Sequence, residues 1–360
     1  MAIKPTFQVI FDGRDINELL GGQQFQSLSV KENLEGESDS MELVVVSPDR
    51  RWLTDLYPKP GQLFEVKFGY EDGEMSESKT FEVDSLKSNL INKLTLSGSS
   101  TPPSKQLRSR NSKAWENTNL REIFQDIASK NDLELVGEIP SVEYKRKDQN
   151  NKTDLEFLRN LASEHNLIVK VEDTDKLVVH DEDDLESQQP AIEITLEDML
   201  LEPSHREKLE DVASSVRVKG TNADTGENIV HTARTNKIEN GQSLDITKQD
   251  LEGKEQAKKI GESTLKKKNK DKFTLDFSVS GSPQWQAGVN FQLKNAGPVF
   301  DGKYQVKSVS HRLNNSGYQT KISSRKILDL EIKEALVADI LSPVAASAFD
   351  IEGLDLLENG

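Results

Sequence analysis

Cysteine is missing from all 360 residues. That excludes a disulfide framework, a thiolate metal site and a cysteine nucleophile, and it fits assembly in a reducing compartment. A basic excess is missing too. The formal charge is −16, so the chain on average repels polyanions, whereas a protein that grips nucleic acid by its phosphates needs the opposite sign. No run approaches the roughly eighteen apolar residues of a membrane helix, and MAIKPTFQVIFDG lacks the apolar core of a signal peptide. No membrane insertion and no specific nucleic-acid binding are expected. The phosphate-cradling G-x-x-x-x-G-K-[ST], the dinucleotide G-x-G-x-x-G, the nucleophile elbow G-x-S-x-G and the zinc-binding H-E-x-x-H are all absent. No catalytic residue, cofactor or metal is expected.

What is present is polar and segmented. Hydrophobic residues make up 34% and charged residues 30%, a balance suited to several small domains or to a subunit of an open assembly. In the first hundred residues Phe7, Val9 and Phe11 alternate with polar positions. MELVVVS follows, then Phe64, Val66, Phe68 and Tyr70, then Phe81 and Val83, then Leu94 and Leu96. Period-two alternation between turn signals indicates half-buried antiparallel strands, and several short ones indicate a small barrel or sandwich.

The period changes after Ser97-Gly98. TPPSKQLRSRNSKAW reads as a basic loop. Leu120, Ile123, Phe124, Ile127 and Ala128 then share one helical face, and Leu155, Leu158, Leu161 and Ala162 share another. Thr153 and Glu156 make the T-x-x-E pattern of a capping box. Asn131 and Asn166 stop the helices. LIVKV and KLVVH form a hairpin across Glu172 to Asp175. Strands return with IEIT and SVRVKG, a charged helix covers about Leu251 to Lys270, and a meander follows through Phe273–Val279, Val289–Leu293, Tyr304–Val306 and Tyr318–Ile322. A short amphipathic helix around Leu336, Val337, Ile340 and Leu341 precedes an acidic tail.

Two distant strand pairs match. GQLFEVK and FEVDSL, from Gly61 and Phe81, read like GVNFQLK and YQVKSV, from Gly288 and Tyr304. Order, direction and the strand-entering glycine agree, and a longer tip separates the strands of the first pair. The reading is two related β-domains with an α+β region between them. Two like domains per chain allow three chains to present six, so that a trimer could meet a sixfold partner on one face and a threefold partner on the other.

The remaining candidates for chemistry have structural explanations. His165 falls in the last turn of a helix, where positive charge suits the dipole. His180 precedes DEDD, which lacks the glycine and distal glutamate of a calcium loop and reads as a solvated loop. The lysines from Lys258 to Lys272 read as a solvated helix face, without the interleaved aromatics of a single-strand binder. LRSRNSKAW is the better interface candidate: Arg108, Arg110 and Lys113 lie beside Trp115, although a core anchor also explains the tryptophan.

One series of residues resembles the phage late control D family, the baseplate hub proteins of contractile tails, similar to the hub part of type VI secretion spike proteins. It runs Ser97-Gly98, Leu107-Arg108, Lys113-Ala114-Trp115, Thr118-x-Leu120, Ile127-Ala128, Gln149-Asn150 and Thr153-Asp154-x-x-Phe157-Leu158-x-x-Leu161-Ala162. Gly302-Lys303-Tyr304-x-Val306 with His311 resembles the family's last barrel. Asn166 stands where members commonly carry glycine, and asparagine tolerates the same left-handed cap. The resemblance implies an α+β chain with two tail-tube-like antiparallel β-barrels: residues 1–98, an α+β insert at 99–190, a second barrel at 191–326, and a C-terminal helix and tail at 327–360. It implies a homotrimer that joins a hexameric tail tube or tube initiator to a trimeric spike, contacts surrounding baseplate proteins, and resides in the virion after assembly in the host cytoplasm. With no needle-like repeat in the sequence, the spike is expected to be a separate polypeptide. The acidic excess is expected to face the channel in part, and Leu336, Val337, Ile340 and Leu341 to dock on the spike or a neighbouring chain. The alternatives are a tail-associated cell-wall hydrolase and a DNA-binding late-gene regulator.

Overall fold

Alternation in the first hundred residues becomes an antiparallel sheet in the computed structural model, which describes residues 4–21, 24–102, 106–208, 210–222, 225–248, 251 and 253–334. Its strands are β1 (Pro5–Phe11), β2 (Arg14–Asp15), β3 (Phe25–Asn33), β4 (Ser40–Val46), β5 (Leu63–Tyr70), β6 (Lys79–Ser88) and β7 (Lys93–Ser99), with a one-turn helix α1 (Asn17–Leu20) after β2. Val9, Phe64, Val66, Phe68, Phe81, Val83, Leu94 and Leu96 point into one core, together with Leu28, Val30, Met41 and Leu43. The sheet curls until Phe7 of β1 stacks on Phe25 of β3, ring centres 4.4 Å apart.

The next region holds β8 (Arg110–Asn119), α2 (Leu120–Lys130), β9 (Glu134–Val136), β10 (Glu143–Thr153), α3 (Asp154–Glu164), β11 (Leu167–Glu172), β12 (Lys176–Asp181) and α4 (Glu182–Ser187). The apolar stripes of α2 and α3 pack on the sheet β11-β12-β9. Asn119 and Glu122 make a full reciprocal capping box on α2. On α3, Thr153 Oγ1 accepts from Glu156 N at 3.1 Å, and Asn166 takes the left-handed cap at φ +60°. The basic segment expected as a loop up to Trp115 is strand from Arg110 onward, paired with β10. Only Trp115 and Thr118 of β8 are buried, so the strand carries no alternation that a reader of the sequence could see.

After β13 (Ile192–Ile194) and β14 (Ser204–Glu207) the chain leaves the sheet. Residues 211–268, with 329–334, form a unit of their own. It contains β15 (Ala213–Thr221), β16 (Asn228–Arg234), β17 (Gln242–Lys248) and α5 (Lys254–Asn269). Val216, Val218 and Ile229 pack there against Ala257 and Leu265. The larger unit resumes with β18 (Phe273–Ser280), β19 (Asn290–Leu293), β20 (Gly302–Asn314) and β21 (Gly317–Lys326), while β22 (Lys333–Glu334) completes the smaller sheet in the order β17-β15-β16-β22.

Two separate closed barrels were expected. Instead, the described strands of both β-regions lie in one thirteen-stranded sheet, and its ladders do not close. The cause is a length mismatch. β20 has 13 residues against 4 in β19, so its outer half runs past β19 and pairs with β3, from Ser308–Asn33 to Asn314–Ser27.

Candidate functional site

The duplication read from the motifs extends to individual hydrogen bonds. Gly61 and Gly288 share a left-handed backbone, φ +90° and +92°, which favours glycine because a Cβ is crowded there. Gly61 N donates to Val83 O at 3.1 Å and Gly288 N to Val306 O at 2.9 Å; Val83 N donates back to Gln62 O and Val306 N to Val289 O, both at 2.9 Å. Phe64 faces Phe81 as Phe291 faces Tyr304. A bulge follows at the same place, between Val83 and Ser85 in β6 and between Val306 and Ser308 in β20. Strand order matches as well: β3-β4-β7-β6-β5-β1 in the first half, β14-β18-β21-β20-β19-β13 in the second. One difference is that β13 runs parallel to β19, whereas β1 runs antiparallel to β5.

The halves meet at β3 and β20 around a buried aromatic group. His311 Nε2 lies 2.9 Å from Trp285 O. A carbonyl only accepts, so Nε2 carries the proton and Nδ1 accepts from the Tyr318 hydroxyl at 2.8 Å. Phe68 of the first half lies against this imidazole, ring centres 4.6 Å apart, and Tyr70 Oη donates to Gly281 O at 2.7 Å. Burial pushes the His311 pKa down to about 4. The ring is a neutral packing element at physiological pH.

Buried charges tie the α+β region to both halves. Arg325 is 1% exposed. Its guanidinium donates to Glu182 Oε1 and Gln305 Oε1, both at 2.7 Å, and to Glu35 Oε1 at 3.1 Å. Lys270 Nζ reaches the same Glu35 carboxylate at 2.9 Å. Burial alone would raise the Glu35 pKa, but Lys270 beside it, and then Arg325, hold it below the usual range. A second group joins Lys170 Nζ to Asp39 Oδ2 at 2.9 Å and to Asn33 O at 3.1 Å, with Lys79 and Glu32 3.2 Å apart. Charges are paired inside each group, so these residues build a scaffold.

What the scaffold leaves free is its flanks. β5 accompanies β6 only as far as Glu82. From Ser85 to Ser88 that side of β6 has no strand partner among the described residues, and β14 ends the sheet at its other extreme. The face opposite the core is rich in hydroxyls, with Ser27, Ser29, Thr95, Ser97, Ser310 and Ser323 outward between core residues. Its outward charges lean basic, with Lys31, Lys87, Lys93, Arg312 and Lys321 against Glu42 and Asp276. Leu201 and Glu202 wall a groove of about 460 Å3 across β18, β21, β20 and β3 on this face.

The residues singled out in the sequence separate in space. Arg108 donates to Ser99 Oγ at 3.1 Å and Thr101 O at 2.8 Å, and so secures the crossing out of the first half. Arg110 donates to Asn151 O at 2.7 Å. Lys113 and Trp115 share one acceptor, Asp126 Oδ2, at 2.5 and 3.2 Å. The Trp115 ring stacks on Phe157, centres 5.2 Å apart and 2° from parallel, in the core of the α+β region. Leu336, Val337, Ile340 and Leu341 lie outside the described residues. The DEDD run, expected as a solvated loop, opens α4 instead: Asp181 is the N-cap, accepting from Asp183 N and Asp184 N, and Glu182 is buried. Among the described residues no group of three or more His, Asp or Glu is placed to hold a metal ion. Sequence reasoning passed over two exposed aliphatic features, Leu90-Ile91 at the β6–β7 tip and Leu200-Leu201 before β14. An N-L-I-N turn, aliphatic where polar residues are usual, was the available signal.

A family model described as phage tail baseplate hub (GPD) matches residues 101–317, more than half of the chain. The chain belongs to this hub family. None of the curated proteins matches it. Among solved structures, the 43 kDa tail protein of prophage MuSo2 from Shewanella oneidensis aligns with a TM-score of 0.68 at 18% identity, over 89% of this chain and 98% of that one. The tail protein from Neisseria meningitidis MC58 aligns at 0.67 and 14%, over 90% and 97%. A component of the Escherichia coli type VI secretion system aligns at 0.55 and 11%, over 89% and 77%. At these identities the likeness is one of fold. The expected resemblance to the late control D hub family holds, and the hub family places the protein among structural components of the virion tail.

Proposed function

We propose that three copies of this hub protein form a ring that joins the hexameric tail tube to the trimeric spike and surrounds the central channel. The observation that carries this reading is the duplication. Each chain presents two half-sheets of the same strand order, so a threefold ring presents six tube-like units to a sixfold tube and three chains to a threefold spike. Each half would act as one tube-like barrel segment, completed by its neighbours rather than by its own ladder. The β3–β20 pairing inside the chain is the template for the contact between chains, with the free side of β6 meeting β14 of the next copy. Such closure also removes two open sheet edges, which are otherwise sites of uncontrolled pairing.

The hydroxyl-rich face is the one we assign to the channel. It would make the lining hydroxyl-rich and mildly basic rather than acidic. Arg110 and Lys113, on the outer ladder of β8 and β10, are assigned to surrounding baseplate proteins, and the segment with Leu336, Val337, Ile340 and Leu341 to the spike or a neighbouring chain. The function is structural, without catalysis. Assembly takes place in the host cytoplasm, before incorporation into the virion.

Co-expression with the spike and tube proteins of the same tail tests the reading. A complex of hub and spike in equal copies, recovered without clearing on peptidoglycan zymograms, is the expected result. A chain that clears peptidoglycan and ignores the spike would instead support the hydrolase.

A further inference from the structure

We infer that the Leu90-Ile91 tip of one copy seats against Leu200 and Leu201 of the next copy, as the aliphatic lock of the ring. The inference rests on the trimeric reading above and names the residues that would hold it.

The tip is built for display. Leu90 and Ile91 are 77% and 70% exposed. Asn89 Oδ1 accepts from three successive backbone N–H groups, Ile91 at 3.0 Å, Asn92 at 3.0 Å and Lys93 at 2.9 Å. That fixes the turn in one conformation. Leu90 sits there at φ +61°, a left-handed backbone that glycine or asparagine adopts at lower energy. Neither burial nor turn chemistry within the chain explains a leucine at this position, and strain of this kind gathers at functional sites. The matching tip of the second half, between β20 and β21, is polar: Asn315-Ser316. The second tip lies at the junction inside the chain, the first at the free flank.

The internal junction supplies the register. Ser85 pairs with Ser97 after the β6 bulge as Ser308 pairs with Ser323 after the β20 bulge, so Ser88 stands where His311 stands. β14 meets β18 through His205 and Leu275 as β3 meets β4 through Val30 and Met41, so His205 stands where Val30 stands. Within the chain His311 faces Val30 and Asn314 faces Ser27. The same register on the free flank sets Ser88 opposite His205 of the next copy, Leu90 opposite Pro203 and Ile91 opposite Glu202. The two aliphatics then fall beside Leu200 and Leu201, which are 51% and 65% exposed. Lys87 falls opposite Arg206 in this register, so apolar burial rather than charge pairing must supply the attraction. Tip and receiving segment are different surfaces, and a contact of this heterologous kind forms a ring when its rotation closes, here after three copies.

The paired variant Leu90→Asn with Ile91→Ser tests the lock in the full-length chain. Asparagine suits the left-handed position, so the separated chain should melt at or above the wild-type temperature. Self-association, read by sedimentation over a concentration series with and without spike, should weaken by about a hundredfold or more, the loss of two buried aliphatic side chains. Leu200→Ser with Leu201→Ser should weaken it to a similar degree, and all four changes together should do little more than either pair. A wild-type trimer indifferent to both pairs overturns this inference and leaves the hub reading standing. A wild-type chain that stays monomeric with spike present overturns both.

Discussion

The two halves of the large sheet share motif, register, bulge and strand order, yet one is finished within the chain and the other is not. In the second half β20 outruns β19 and finds β3. In the first half β6 outruns β5 and finds no strand among the described residues. The same fold unit is thus seen with its lateral contact made and with it unmade. The made contact buries Phe68, His311 and Tyr318; the unmade one leaves Leu90 and Ile91 in solvent. The comparison separates what holds a half together from what joins halves.

If the halves are equivalent inside, matched core truncations should have matched effects. Phe64→Ala and Phe291→Ala each empty a fully buried site. Each is expected to destabilise the larger unit by about 3–5 kcal/mol in urea unfolding. A silent variant in one half would break the equivalence. Arg325→Ala probes what joins the parts, because it leaves Glu182 and Glu35 with Lys270 as their one remaining cation. A loss of about 3 kcal/mol is expected, the low end for breaking a buried pair, since Lys270 still compensates part of the charge.

His311 gives the junction a pH dependence. Its folded pKa is depressed to about 4 from 6.5, so the unfolded chain binds the extra proton between those values. Stability therefore rises with pH across that window, falls on acidification from 6.5 towards 4, and does not fall further on this account below it. The span is worth about 3 kcal/mol, and His311→Phe should flatten it in denaturation curves taken from pH 7 to pH 4. An unchanged slope would mean that the imidazole is protonated in place. The smallest effects belong to the paired glycines. Gly61→Ala and Gly288→Ala should each cost about 1 kcal/mol for the left-handed backbone, with Gly288 the worse of the two, because its added Cβ meets Leu34 at 3.3 Å whereas that of Gly61 meets nothing.

The sequence showed the repeat because glycine, aromatic and β-branched positions are dictated locally, by turn and pleat. It concealed the join. β3 (FQSLSVKEN) ends in Glu32 and Asn33, both buried, and Glu32 stands where alternation from Leu28 and Val30 would place an apolar residue. Glu32 is accommodated by Lys79 from another strand, a pairing visible only in three dimensions. β8 and β10 are polar along nearly their whole length and escaped for the same reason. The excursion at 211–268 escaped because SVRVKG reads like any strand of the larger sheet. Of the candidate contact residues, Trp115 proved a core residue and Arg108 a tie between segments. The feature with the clearest exposure, Leu90-Ile91, carried one signal, an aliphatic pair between two asparagines, which merges with the apolar strand that follows it.

The central claim is that the chain is one third of a ring. The most direct test is the mass of the full-length protein in solution, alone and with the trimeric spike. The account predicts a species at three times the 40.3 kDa chain mass, formed by the chain itself or on addition of spike in equal copies. A single 40.3 kDa species at every concentration, unchanged by spike, would contradict it.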